Sequence, residues 1–257
     1  RRYHRAPPAM TEPLTDAELA AQLAKIAGEI LLQVRACRLI QDKALGKAGD
    51  ATSNQFLVHA LRAARPDDGL LSEELKDDGA RRSQRRVWIV DPVDGTREYG
   101  EGRADWAVHV ALAIDGEARV GAVALPGLGV VMRSDRPQPL PAAGAPLRMV
   151  VSRTRPAKEA VSVAERLGAS LVPMGSSGAK AMAILRGEAD IYLHSGGQYE
   201  WDSAAPVAVA QAFGLHCSRI DGSPLVYNNA DVYLPDLLIA RKEHAQAVLT
   251  LLRSMPT

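Results

Sequence analysis

The stretch Val87-Trp88-Ile89-Val90-Asp91-Pro92-Val93-Asp94-Gly95-Thr96 decides how this chain is read. Four apolar residues running into turn signals describe a short buried strand. Pro92 and Gly95 predict that the strand stops there, leaving Asp91 and Asp94 on a tight turn behind it. Two carboxylates so close are costly unless a cation compensates them. Hard oxygen ligands of this kind suit Mg²⁺ or Mn²⁺, ions that recur where water attacks phosphate. Asp-Pro and Asp-Gly are also common turn formers. The rest of the chain must therefore separate a metal site from a plain turn.

Composition narrows the choice. The chain has 257 residues, 47% hydrophobic and 24% charged, as expected of a globular protein with a sizeable core. Lys+Arg 31 against Asp+Glu 30 leaves a net charge of +1, so bulk charge points to neither nucleic acid nor an anionic membrane. The local cluster Arg81-Arg82-Ser83-Gln84-Arg85-Arg86 reads as a solvated loop. No apolar run is long enough to cross a bilayer. Arg1-Arg2-Tyr3-His4-Arg5 is followed by no apolar segment of the kind a secretory signal needs, and residues 1–14 are expected as a flexible tail. Cys37 and Cys217 have neither metal nor redox spacing and read as reduced thiols of a cytoplasmic protein.

Thr15-Asp16-Ala17-Glu18 has the form of a capping box, with Leu19, Leu23, Ile26, Ile30 and Val34 following at helical spacing. A second helix is expected from about Asn54, a brief strand at Leu70-Leu71, and a hairpin from the runs 106–114 and 118–125 across Asp115-Gly116. The proline-rich segment 136–146 marks a subdomain boundary, dividing the chain into 15–146, with the main metal site, and 147–257, which completes the active site. Beyond it strands and helices alternate, with helices over 158–167, from the Gly175-Ser176-Ser177-Gly178 lead-in through Arg186, over 204–213 and over 243–253. The fold class is α+β, or a layered α/β arrangement with mixed sheets.

Acids recur at element ends. Glu73-Glu74 follows the brief strand, and Asp202 opens an apolar helix where it could serve as an N-cap and nothing more. Spacing alone cannot bring these together with Asp91 and Asp94. The ordered set Leu71-Ser72-Glu73-Glu74, Asp91-Pro92-Val93-Asp94-Gly95-Thr96 and Trp201-Asp202-Ser203-Ala204-Ala205, however, resembles the inositol-monophosphatase superfamily over essentially the whole chain. Within it, Arg97-Glu98-Tyr99 after Gly95-Thr96 is similar to the CysQ-type 3′(2′),5′-bisphosphate nucleotidases, as are Gly175-Ser176-Ser177 with Lys180 and Gly222-Ser223-Pro224-Leu225 with Tyr227-Asn228. One extra residue, Gly178-Ala179 in place of a single position, precedes the lysine.

That resemblance implies an α-β-α-β-α sandwich and a Mg²⁺-dependent, lithium-sensitive phosphomonoesterase. Two or three Mg²⁺ ions, replaceable by Mn²⁺, would be held by Glu73, Asp91, the Val93 carbonyl, Asp94 and Asp202. Thr96, with Glu73 and Asp94, would orient the attacking water, while Gly95, Thr96, Arg97, Tyr99, Gly175, Ser176, Ser177 and Lys180 would meet the substrate. Packing is the competing role for Tyr99 and Tyr227, and a solvated helix position for Lys180. The implied substrate is the small nucleotide 3′-phosphoadenosine 5′-phosphate, with 3′-phosphoadenylyl sulfate beside it, acted on by a homodimer that binds no nucleic acid or membrane. Inositol monophosphate or fructose 1,6-bisphosphate phosphatase activity is the alternative within the same chemistry; a non-catalytic Mg²⁺/nucleotide-binding regulator is the alternative outside it. One departure concerns Asp50-Ala51-Thr52-Ser53-Asn54, where Asn54 stands in place of the family's aspartate. Asn54 cannot act as a base, so either Asp50 reaches in, or Glu73 backs Thr96, or one metal position is weakened.

Overall fold

A computed structural model describes residues 13–255, and most of the expected N-terminal tail, residues 1–12, lies outside them. Helix α1 (Asp16–Ala36) begins with the expected capping box: Glu18 N–H donates to Thr15 Oγ1 at 3.2 Å, and Thr15 N–H donates to Glu18 Oε2 at 3.0 Å. Helix α2 (Asp42–Ala64) starts twelve residues before the expected Asn54. Gly46 and Gly49 hide this helix from periodicity and propensity, yet both are required by packing. A Cβ at Gly46 would lie 2.8 Å from Thr96 Cγ2, and one at Gly49 would lie 2.6 Å from Tyr99 Cε1. The glycines let α2 lie directly against the short helix α3 (Thr96–Gly100).

The first sheet has the order β1 (Gly69–Ser72), β2 (Arg86–Asp94), β3 (Ala107–Ile114), β4 (Glu117–Leu125), β5 (Val130–Arg133), with β1 parallel to β2 and the remaining pairs antiparallel. The second has the order β7 (Ser170–Met174), β6 (Arg148–Ser152), β8 (Ile191–Ser195), β10 (Asp236–Ala240), β9 (His216–Ser218), also mixed. Strand β9 escaped the sequence reading because three residues are too few to show a period.

Alternation along the strands builds the layers. Trp88, Val90, Val108, Val110 and Leu112 pack against α1 and α2, whereas Val87, Ile89, Ala111, Ala113 and Val123 face α5 (Ser177–Leu185) and α6 (Glu200–Ala212). Those two helices also cover Val150, Tyr192, Leu237 and Ile239 of the second sheet. Its far face, Met149, Val151, Ile191, Leu193 and Leu238, packs on α4 (Lys158–Leu167) and α7 (Lys242–Arg253). The result is the α-β-α-β-α sandwich with mixed sheets. Among the described residues no helix is long and apolar enough to cross a membrane.

Candidate active site

Register brings the first acids together. In the parallel β1–β2 pair Ser72 lies opposite Val90, and Glu73 N–H bonds the Val90 carbonyl at 3.4 Å, so Glu73 emerges beside Asp91. The structure corrects one expectation here: Asp91 and Asp94 do not follow β2 but lie within it, on either side of a register shift. Pro92 is tolerated in the strand because the bulge leaves its missing N–H without a ladder partner. The chain turns only at Gly95, whose φ of 86° favours glycine, and α3 starts at Thr96.

Asp202 arrives from α6. It is not the N-cap, a position that Tyr199 holds; it sits in the first turn, where its Oδ2 accepts Tyr199 N–H at 2.7 Å. One carboxylate oxygen from each of Asp91, Asp94 and Asp202 lies within 4.8 Å of the others. Asp91 and Asp94 are buried. Burial, and then the charges of Glu73, Asp94 and Asp202, hold the Asp91 carboxyl well above its ordinary 3.8. Burial and Asp94 push Asp202 up to about 7. Glu73 has an exposed surface, yet loss of hydration around its carboxyl, followed by the nearby charges of Asp50, Glu74 and Asp94, pushes it up to about 7 despite a hydrogen bond with Asp91. Such crowding is relieved by a hard divalent cation, and the all-oxygen donor set fits one.

Asp94 differs from its neighbours. Burial alone would raise it, but its Oδ2 accepts from Ser176 Oγ at 2.5 Å and Gly178 N–H at 2.7 Å, and His109 Nε2 lies 3.1 Å away. Together these hold Asp94 below the usual carboxylate range and leave Oδ1 as its free oxygen. His109 was not singled out in the sequence. It is fully buried on β3, and its Nδ1 lies 2.9 Å from the Trp201 carbonyl. Nδ1 faces a carbonyl and Nε2 a carboxylate, both acceptors; burial opposes a charge on the ring, but Asp94 outweighs it and raises the imidazole above its ordinary 6.5. The Nε2 contact is short without being aligned as a hydrogen bond. The available signal was a histidine at an inward position of an otherwise apolar strand.

Thr96 Oγ1 lies 3.0 Å from the Val93 carbonyl and 3.2 Å from Asp50 Oδ1. Asp50 reaches it from inside α2 and is pushed up to about 7, by burial first and Glu74 next. Asn54 is occupied elsewhere, accepting Ser72 Oγ–H at 2.7 Å and tying α2 to the end of β1. Of the three possibilities left open by the sequence, the first describes the geometry.

On the opposite side, Gly175 N–H donates to Asp105 Oδ2 at 2.7 Å and leads to Ser176, the N-cap of α5, at φ 57°. Ser177 Oγ donates to the Asp202 carbonyl at 2.5 Å. That carbonyl is free because Pro206, four residues on in α6, has no N–H to offer it. Lys180 is buried, 3.5 Å from the Met174 carbonyl and 5.4 Å from the Tyr192 ring centroid, and burial lowers its ammonium despite Asp94, Glu98 and Asp202. Arg97 and Tyr99, expected near substrate, and Tyr227, whose role the sequence left open, make protein contacts of their own. Tyr99 is in the core, with its hydroxyl on the Leu31 carbonyl at 2.8 Å and its ring edge-on to Trp106. Tyr227 is buried against Ser203, 3.1 Å away. Arg97 points outward to Glu101 at 2.8 Å, on the rim of a cavity of about 480 Å³ that Thr96, Lys43 and Lys47 also line. Another cavity, of about 720 Å³, lies among Arg62, Asp67, Lys76 and Arg81 and includes none of the cluster.

A five-layer sandwich with a buried acid cluster at the meeting of β2 and α6, and a threonine–aspartate pair beside it, defines a class. Residues 12–256 match the inositol monophosphatase family, and the chain belongs to that family. It is 49% identical to a Mycobacterium leprae protein named 3′-phosphoadenosine 5′-phosphate phosphatase, over 94% of this chain and 95% of that one. It is 52% identical to the Mycobacterium tuberculosis protein of the same name, over 87% and 88%. Escherichia coli 3′(2′),5′-bisphosphate nucleotidase CysQ is 29% identical over 83% of this chain and 94% of its own length. Among solved structures, CysQ from Bacteroides thetaiotaomicron superposes with a TM-score of 0.73 at 26% identity, covering 88% of this chain and 97% of that one.

Proposed function

We propose that this chain is a metal-dependent phosphomonoesterase that hydrolyses 3′-phosphoadenosine 5′-phosphate to AMP and phosphate, and accepts 3′-phosphoadenylyl sulfate. The observation that carries the chemistry is the Asp91–Asp94–Asp202 cluster, with Asp91 and Asp94 buried and Asp202 half-buried, next to the Thr96–Asp50 pair. The names of relatives about half identical to this chain carry the substrate.

Glu73, Asp91, Asp94 through Oδ1, Asp202 and the Val93 carbonyl would hold two or three Mg²⁺ ions, which Mn²⁺ can replace. When bound, such ions neutralise phosphoryl oxygens and make a water more acidic. The protein groups supply orientation. With its proton donated to ionised Asp50, Thr96 Oγ1 presents lone pairs to a hydrogen of the attacking water and aims that water's oxygen at phosphorus. Asp50, titrating near 7, then accepts the proton displaced through Thr96. Backbone N–H groups of Gly95 and Thr96 at the start of α3 face the phosphoryl group, and Lys180 with the 175–177 loop faces the nucleotide. Asn54 was the one feature favouring a non-catalytic regulator, and Asp50 occupies the place that Asn54 leaves. Lithium inhibition, a homodimer and a cytoplasmic setting belong to the same proposal.

The test is phosphate release from 3′-phosphoadenosine 5′-phosphate, inositol 1-phosphate and fructose 1,6-bisphosphate, each with Mg²⁺ and with EDTA. A Mg²⁺-dependent kcat/KM at least about tenfold higher for the nucleotide is expected. Equal rates on all three would replace the nucleotidase with a broad phosphatase, and tight nucleotide binding without turnover would favour the regulator.

A further inference from the structure

His109 stands where three elements of the site converge. On one side Nε2 lies 3.1 Å from Asp94 Oδ2 of β2. On the other Nδ1 lies 2.9 Å from the carbonyl of Trp201 in α6, the residue before Asp202. The third side is closed by α5: a Cβ at Gly178 would lie 2.1 Å from Nε2. The imidazole is fully buried, and β3 fixes its backbone between β2 and β4. Asp94 and Asp202 come from distant parts of the chain, so some rigid piece must set their separation before any ion arrives.

From this geometry we infer that His109 is a positioning residue for the metal site, a crosspiece that meets Asp94 at Oδ2, leaving Oδ1 free, and fixes the first turn of α6, with Asp202, at ligand distance. The inference rests on the cluster being a metal site. It assigns His109 no contact with substrate or ion. An imidazole suits the task because its two nitrogens lie on different sides of one rigid ring, and each faces an acceptor on a different element. A glutamine has both N–H bonds on one nitrogen and cannot span the two.

Loss of a partner that orients metal ligands lowers affinity by about 10–100-fold. Mn²⁺ affinity would be measured by calorimetry on the full chain for wild type, His109→Gln and His109→Ala, with Ser218→Ala as a core change remote from the cluster. Expected are Mn²⁺ binding by wild type and Ser218→Ala, and at least about tenfold weaker binding by both His109 variants while they remain folded by circular dichroism. Unchanged or tighter binding in a folded His109 variant would overturn the crosspiece and leave the metal site standing. Absence of Mn²⁺ binding in wild type would overturn both. If neither variant folds, wild type labelled with ¹⁵N-histidine decides the matter: Mg²⁺ should move the buried His109 ring resonances, and ring signals that ignore Mg²⁺ would overturn the inference.

Discussion

Stripping divalent ions from the protein and then raising the pH should weaken the fold. In the unfolded chain Asp202 and Asp50 release their protons near 3.8 and Glu73 near 4.5, whereas in the fold all three hold them until about 7. Across that window the folded state binds more protons than the unfolded one, so stability is greatest below the unfolded values and is lost as pH rises towards 7. Each fully enclosed group contributes a slope of about 1.4 kcal/mol per pH unit. Asp202 alone therefore accounts for about 3 kcal/mol between pH 5 and pH 7. Asp50 and Glu73 are more open to water, and after discounting for screening they add about 1 kcal/mol each. His109, raised by Asp94, works in the same direction, while Asp94 titrates below this window. For a chain of this length the sum corresponds to a fall in Tm on the order of 10 °C. Differential scanning calorimetry in EDTA at pH 5, 6, 7 and 8 measures it directly. Excess Mg²⁺ should flatten or reverse the trend, because ligation needs the ionised carboxylates. A Tm in EDTA that is constant or climbs from pH 5 to 7 would refute the account of the cluster.

Other perturbations separate the roles of single groups. Thr96→Val keeps the methyl group that packs on Gly46 and removes the hydroxyl, so kcat should fall about 100-fold or more with KM little altered; a KM effect alone would make Thr96 a binding residue. Tyr99→Phe removes the bond to the Leu31 carbonyl and should cost about 1 kcal/mol in urea unfolding, whereas a raised nucleotide KM would return that ring to the substrate side. Gly178→Ala pushes a methyl group into His109 and should destabilise by about 1–3 kcal/mol; the loss should shrink in the double variant with His109→Ala, and simple additivity would show that the two do not touch.

Much of the fold was legible because amphipathic periods and turn residues carry it: the capping box of α1, the hairpin across Asp115-Gly116 and the α4 and α7 helices all stand where local chemistry puts them. The errors arose where packing overrode local preference. Glycines that break helices in isolation let α2 approach α3, and a proline that should end a strand sits in a bulge of β2. Legibility of the site followed the same division. Glu73, Asp91, Asp94 and Asp202 carry motifs that could be read in order, whereas Asp50 is marked only by its position once α2 is known to begin at Asp42. His109 reads as one polar residue in an apolar strand, and its meaning lies in the Trp201 carbonyl, far along the chain. The extra residue before Lys180 also has a cause: Gly178 supplies the N–H that Asp94 accepts and the space that the imidazole fills.

Pairing across the layers also sets the order in which the chain can mature during synthesis. Strands β1 to β5 are complete by Arg133, yet the face carrying Ile89, Ala111 and Val123 is covered by helices that begin at Ser177 and Glu200. A nascent chain emerging from the ribosome therefore holds all five strands of the first sheet before the helices that cover one of its apolar sides have been made. Contacts between residues so far apart in sequence slow folding and lengthen the time during which that side is open to aggregation. The helix that delivers Asp202 to the acid cluster is the same one that ends this exposure, so the chain acquires its complete carboxylate set and loses its aggregation-prone surface at the same moment.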